Sequence, residues 1–238
     1  MQPICESFPR TGQNIKIESQ FVSPRHIRVN EKKTQERGRL RRGELVSAAR
    51  KLLHTRELDE ISLTDMADVA GIPKSSAYHL FGSAFEVHAA VAQEIATELL
   101  EHLASFDPAG CDGWPALVEQ FVRHGAVFFN ERPDASQLLL GPKSPPAIKL
   151  ADRQKSDVAL GHYLMNLMGG CYRLPPWPSR DETFFRAIEI ADLFFSLSVL
   201  EHGKIVEEFM IEAARATNAY LSLYLPPLLP AAEPANSA

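Results

Sequence analysis

Apolar positions in this chain recur at intervals of three and four residues, the spacing that lines side chains along one face of an α-helix. Leu45, Ala48, Ala49, Leu52 and Leu53 form the first such stripe and predict a helix over about 41–54. Leu63, Met66, Ala67 and Ala70 form the second. Ser62 and Asp65 precede it as a capping-box-like pair, and Gly71 closes it, since a residue without Cβ accepts positive φ. Pro73, with its fixed φ and no N–H, suits the start of a third helix over 74–81. Ser83 with Glu86 opens a fourth, running to about 106, with Phe85, Ala89, Ala92, Ile95, Ala96, Leu99 and Leu103 on its inward side. Helical spacing returns at 114–130, 133–140 and 147–168, separated by clusters of Gly and Pro. The last two helices, about 182–201 and 205–224, differ from the others. Phe184, Phe185, Ile188, Ile190, Leu193, Phe194, Phe195, Leu197, Val199 and Leu200 cover most of the circumference of the first, so it should be buried on all sides. No alternation of period two and no internal repeat interrupts the pattern, and the predicted fold is all-α.

The short third helix carries the chemistry. With Ala77 set inward, Leu80 and Phe81 also face in, Ser75 and His79 point outward, Ser76 and Tyr78 flank them, and Lys74 stands at the N-terminal end. A polar face of this size on a helix crossing its neighbour steeply at a glycine turn is shaped for a groove edged with phosphates. An ordinary helical hairpin with a solvated face would show the same spacing.

The run LVSAARKLLHTRELDEISLTDMADVAGIPKSSAYHLFGSAFEV, residues 45–87, resembles the N-terminal domain of the TetR family of bacterial transcriptional regulators. The resemblance rests on Ala48, Ala49 and Leu52, on Ser62-Leu63 and Ala67, on Ala70-Gly71-Ile72, and on Tyr78-His79 with Phe81. It implies a three-helix helix-turn-helix domain followed by a larger helical ligand-binding and dimerisation domain. Two positions depart from the family pattern. Pro73 stands where the family usually has a capping Ser or Thr, and Ala84 where it usually has a Lys resembling a phosphate contact.

Composition adds a location and a charge gradient. At 45% apolar content and 238 residues the chain can bury a substantial core. No apolar run approaches the roughly 18 residues of a membrane span, and the expected location is the cytoplasm. The net charge of −5 is divided unevenly: residues 1–42 hold ten Lys/Arg against four Asp/Glu, and the remainder fifteen against twenty-six. The basic stretch ending in Arg37, Arg39, Arg41 and Arg42 could follow a phosphate backbone or act only as a solvated leader. Cys5, Cys111 and Cys171 are odd in number and widely spaced, so free thiols are expected. Neither they nor the histidines make a metal set, and no phosphate loop, nucleophile elbow or catalytic dyad is present.

The expected organisation is a basic, disordered leader over 1–38, a helix-turn-helix domain over 39–84, a helical regulatory and dimerisation domain over 85–225, and a flexible tail over 226–238. The candidate DNA-binding residues are Arg42, Thr64, Lys74, Ser75, Ser76, Tyr78 and His79. Candidate ligand-binding residues are His124, Phe128, Gln137, His162 and Asn166, polar or aromatic groups set among apolar faces. The expected function is that of a non-enzymatic, dimeric regulator without cofactor, a repressor released from a palindromic double-stranded DNA operator by a small hydrophobic effector. It would pair with itself through the last two helices. The alternative is a nucleoid or cell-division factor whose helical domain binds a protein partner.

Overall fold

The computed structural model describes residues 24–232. Helix α1 is Pro24–Leu53, a 3-10 turn covers Leu58–Glu60, and α2 (Leu63–Ala70), α3 (Lys74–Leu80) and α4 (Ala84–Ala104) follow. The larger helical part consists of α5 (Gly113–Glu131), α6 (Pro133–Ala135) running into a π turn at Ser136–Leu140, α7 (Pro146–Asp152), a second π turn at Arg153–Asp157, α8 (Val158–Cys171), α9 (Arg180–His202) and α10 (Glu207–Leu221). Among the described residues there is no strand, only an isolated bridge between Tyr172 and Ala231. None of their helices is long and apolar enough to cross a membrane.

Helix α1 starts at Pro24, well before the expected position near 41. Proline is at home in a first helical turn, and the Glu, Lys, Gln and Arg residues that follow are good helix formers. Residues 35–44 are almost all exposed, so this part of the helix has no apolar stripe by which to announce itself. The chain divides within α1 into two units, one ending at Arg39 and the other running from Leu40. Residues 1–23 of the expected leader lie outside the described residues.

From Leu40 onward a single apolar core runs from Leu45 to Leu225. Helix α4 contributes Val87, Val91, Ile95, Leu99 and Leu103 to it. Phe85, expected to face inward, is 41% exposed, because it stands on the flank of that stripe together with Ala89 and Ala96. The helix expected over 147–168 is interrupted by the second π turn. Its wider bonding brings residues five apart together, where in an α-helix they would diverge by about 140°. Helices α8 and α9 then approach closely at Gly161, where a Cβ would stand 2.7 Å from the backbone nitrogen of Phe185. Glycine is required there by contact and not by backbone angle.

The expected flexible tail is corrected over 226–232. The Trp114 indole donates to the Pro226 carbonyl at 2.8 Å, Arg173 N–H to Pro230 O at 2.8 Å, and Ala232 N–H to Cys171 O at 3.0 Å. Extended backbone at Tyr172 gives this proline-rich segment partners that a helix could not offer. Residues 233–238 lie outside the described residues.

One ionic cluster ties the start of this unit to its middle. Arg50 on α1 grips Glu98 on α4 with both terminal nitrogens, at 2.7 and 2.8 Å, and donates its Nε to Asp134 on α6 at 2.9 Å. Arg132 bonds Glu98 and stands 3.4 Å from the other Asp134 oxygen. The Asp134 side chain is 1% exposed. Hydrogen bonds from Arg50 hold the Glu98 carboxyl down at about 2. Gln137 adds a second tie: its carbonyl accepts the Leu58 N–H at 2.8 Å, and its amide donates to Leu53 O and Arg56 O at 2.8 and 3.0 Å. The frayed C-terminal end of α1 is thereby satisfied from the π turn after α6. Asp134→Ala leaves Arg50 and Arg132 to share Glu98 in a partly buried site and should lower stability by about 3 kcal/mol, read from urea midpoints with an unchanged slope.

Candidate nucleic-acid interface and interior cavities

The α2–α3 pair is built from its caps inward. Ser62 Oγ accepts the Asp65 N–H at 3.2 Å, and Asp65 Oδ2 accepts the Ser62 N–H at 2.8 Å, closing the capping box. The Ser62 hydrogen bonds, helped by Arg56, hold the Asp65 carboxyl down at about 2. Gly71 ends α2 with φ of 66°, and Ile72 N–H returns to Ala67 O at 2.9 Å. Ala77 and Phe81 anchor α3 in the core.

The opposite face of α3 is open. Lys74, Ser75, Tyr78 and His79 are exposed, Tyr78 at 55%, while Ser76 is partly buried, as is Thr64 in the first turn of α2. Six of the seven expected DNA-binding residues thus share one end of the unit. Arg42 has an internal engagement that spacing could not reveal. Its guanidinium donates to the Leu80 carbonyl and lies 3.9 Å above the Phe81 ring, so it holds the C-terminal end of α3. After α3, the Ser83 hydroxyl caps α4 by accepting the Glu86 N–H at 3.4 Å.

Cavities lie beyond this pair of helices. One, about 430 Å³, runs between α4 and the α7–π turn segment, lined by Phe85, Ala89, Ala92, Ala96 and Leu100 on one side and by Ala147, Ile148 and Ala151 on the other. Alanines make the void: their short side chains let the walls recede at a point where backbone separation is set elsewhere. Gln93, Thr97, Asp152, Lys155 and Ser156 supply its polar groups. A second cavity of about 60 Å³ lies among Leu103, Phe121, Leu164 and Phe195, and a third of about 220 Å³ beside Lys149, Arg153 and Leu193. Asp152 borders all three, and Asp157 and Asp192 border the last two.

None of the five expected ligand-binding residues lines these cavities. The His124 ring stacks on His102 with centroids 4.0 Å apart, and each ring nitrogen meets the other residue's carbonyl, at 2.9 and 3.0 Å. Phe128 packs against this pair. Gln137 is spent on the backbone of α1 and the 3-10 turn, His162 is exposed beside Asp181 at 3.7 Å, and Asn166 is exposed. The face shared by His124 and Phe128 packs against His102 of α4. The residues that sequence reasoning missed were the alanines, legible as small residues at helical spacing on two segments, and the four acids at 152, 157, 189 and 192.

Those acids sit close together. Burial, then the charges of Asp152 and Asp192, pushes the Asp157 carboxyl far above the usual carboxylate range. Burial and Glu189 push Asp192 up to about 7. Lys149 and Arg153 oppose the effect on Asp192, and Arg153 Nε pairs with Glu189 at 2.5 Å.

Residues 112–225 match the family model described as tetracyclin repressor-like, C-terminal domain. No curated protein sequence matches the chain. Among solved structures, a TetR-family transcriptional regulator from Streptomyces coelicolor is 22% identical, aligned over 78% of this chain and 99% of its own with a TM-score of 0.59. A TetR transcriptional regulator from Rhodococcus sp. RHA1 is 16% identical over 77% and 96%, with a TM-score of 0.57. RolR in complex with the ligand resorcinol is 15% identical over 82% and 97%, with a TM-score of 0.53. The expected all-α fold is the one observed.

A raised carboxyl pKa favours the folded state at low pH, and the benefit is lost as pH rises from the unfolded value near 4 towards the folded one. Asp157→Asn should therefore melt at a temperature close to the parent's at pH 4 and progressively above it up to pH 8. Thermal scans across that range would show it.

Proposed function

We propose that the chain is a TetR-family transcriptional regulator, a homodimeric repressor released from its operator by a small molecule filling the cavity between α4 and α7. It acts by binding alone, in the cytoplasm where its operator lies. In this reading residues 39–84 are the reading head and 85–225 the regulatory and dimerisation part. Ser75 and Ser76, with Lys74, face base edges from the major groove, and Thr64, Tyr78 and His79 fix register on phosphates. Arg42 serves from behind, holding the end of α3.

The observation that carries the reading is the connection between cavity and head. One flank of α4 lines the cavity, and its N-terminus at Ala84 lies four residues beyond the end of α3. Glu98 on the same helix is locked to Arg50 on α1. An occupant that displaces α4 therefore carries α1 and α3 with it. In a dimer, that motion alters the spacing of two heads that must meet half-sites about 34 Å apart. RolR is known in complex with the ligand resorcinol, which supports a small-molecule effector for this chain.

The apolar circumference of α9 supports the dimer. Phe184, Ala187, Ala191 and Phe195 face the chain's own core, and Leu193, Leu197 and Leu200 are exposed on other sides. Pairing of α9 and α10 with a second copy would bury these leucines in a four-helix arrangement.

Two outcomes follow. Tyr78→Ala should weaken binding to DNA fragments selected by the purified protein by about 1–3 kcal/mol with the fold intact, measured by titration at fixed salt. Leu197→Glu should convert the dimer to a folded monomer in analytical ultracentrifugation, and a parent protein that sediments as a monomer at micromolar concentration would refute the pairing.

A further inference from the structure

Asp157 is unlike the other polar groups of the regulatory part. It is 8% exposed, it borders two cavities, and its hydrogen-bonding neighbour is another carboxyl, that of Glu189. No N–H group or cation among the described residues is hydrogen-bonded to it. Asp152 and Asp192 press on it as further negative charges. Of the nearby cations, Arg153 pairs with Glu189, the Lys149 ammonium donates to Leu140 O at 3.1 Å, and Lys155 lines the cavity beside Asp152. Glu189 Oε1 is buried without a hydrogen-bond partner. A buried carboxyl in such company stays protonated unless a positive charge joins it.

Next to this deficit of positive charge lies the alanine-walled cavity, joined to it at Asp152. Its alanine walls suit a hydrocarbon body, and Asp152 and Lys155 are its charged lining groups. No group of three or more His, Cys, Asp or Glu among the described residues could hold a metal ion, so a bare divalent cation does not fit.

We propose that the effector of this protein is an amphiphilic organic cation whose basic nitrogen sits among Asp157, Asp192 and Asp152 while its apolar body fills the cavity between α4 and α7. This rests on the effector role given to that cavity above. Binding is coupled to proton release: the ammonium arrives charged, a neutral carboxyl gives its proton to solvent, and a carboxylate–ammonium pair remains. The pairing neutralises repulsion that the free protein relieves by holding protons.

Calorimetry on the full chain with three probes of equal length tests this: n-octylammonium, 1-octanol and octanoate. n-Octylammonium should bind about tenfold or more tightly than 1-octanol, and octanoate weakest of the three. The heat of n-octylammonium binding should vary with buffer ionisation enthalpy in the direction of proton release. Asp157→Asn and, separately, Asp192→Asn should reduce the preference for the amine over the alcohol while leaving 1-octanol affinity within about twofold, with folding checked by thermal melting. If 1-octanol binds as tightly as n-octylammonium, or both variants keep the preference, the charge assignment is wrong although the cavity remains an effector site. If neither n-octylammonium nor 1-octanol binds, the cavity is no effector site and the functional reading falls with it.

Discussion

The buried carboxylate of Asp134 is the point on which the rest of the molecule is organised. An anion without water is tolerable only when its charge and lone pairs are met by protein groups. Here Arg50 hydrogen-bonds one oxygen and the Arg132 charge stands 3.4 Å from the other, which has no hydrogen-bond partner, and together they fix three segments far apart in sequence, α1, α4 and α6, in one geometry. Gln137, a few residues along, repeats the constraint with neutral hydrogen bonds to the end of α1. Because these partners are polar and directional, the joint between α1, α4 and α6 has a defined arrangement instead of a loose apolar contact. Under the proposed function, a displacement of α4 would be transmitted through it and not absorbed.

The cavity and its acids depend on a different irregularity. A continuous α-helix over 147–168 would have pointed Asp152 and Asp157 in different directions. The π turn at Arg153–Asp157 gathers them at one edge of the void, where Asp192 from α9 meets them. Wide turns cost hydrogen-bond quality, and this one sits where four carboxyls converge. Local geometry and unusual electrostatics thus coincide at one place in the regulatory part. The same segment faces α4, so the acidic cluster and the helix that follows α3 share a wall.

Much of the reading head was legible in the sequence because its determinants are local. The capping pairs Ser62–Asp65 and Ser83–Glu86, the left-handed Gly71 and the outward face of α3 all depend on residues within four or five positions of one another. The structure has them as expected. The errors lie where a solvated or nonlocal environment decides. Helix α1 extends back to Pro24 through residues with no apolar stripe to betray it. The segment 226–232 is held by partners at 114 and 171–173. Gln137 and His124 stand where the pattern offers pocket groups, and in the structure they meet the end of α1 and His102 of α4.

Sequence by itself determined the helical period, the caps, the glycine turn and hence the family-like head, since each follows from steric and hydrogen-bonding rules acting over one or two turns. Tertiary structure alone decided which apolar faces meet and which leave a void, that Arg42 braces α3 from within, and that acids at 152, 157, 189 and 192 share one buried place. The reason is physical. A side chain's pattern along a helix says that it faces something, but burial, charge pairing and empty space are properties of the other surface, and that surface comes from elsewhere in the chain.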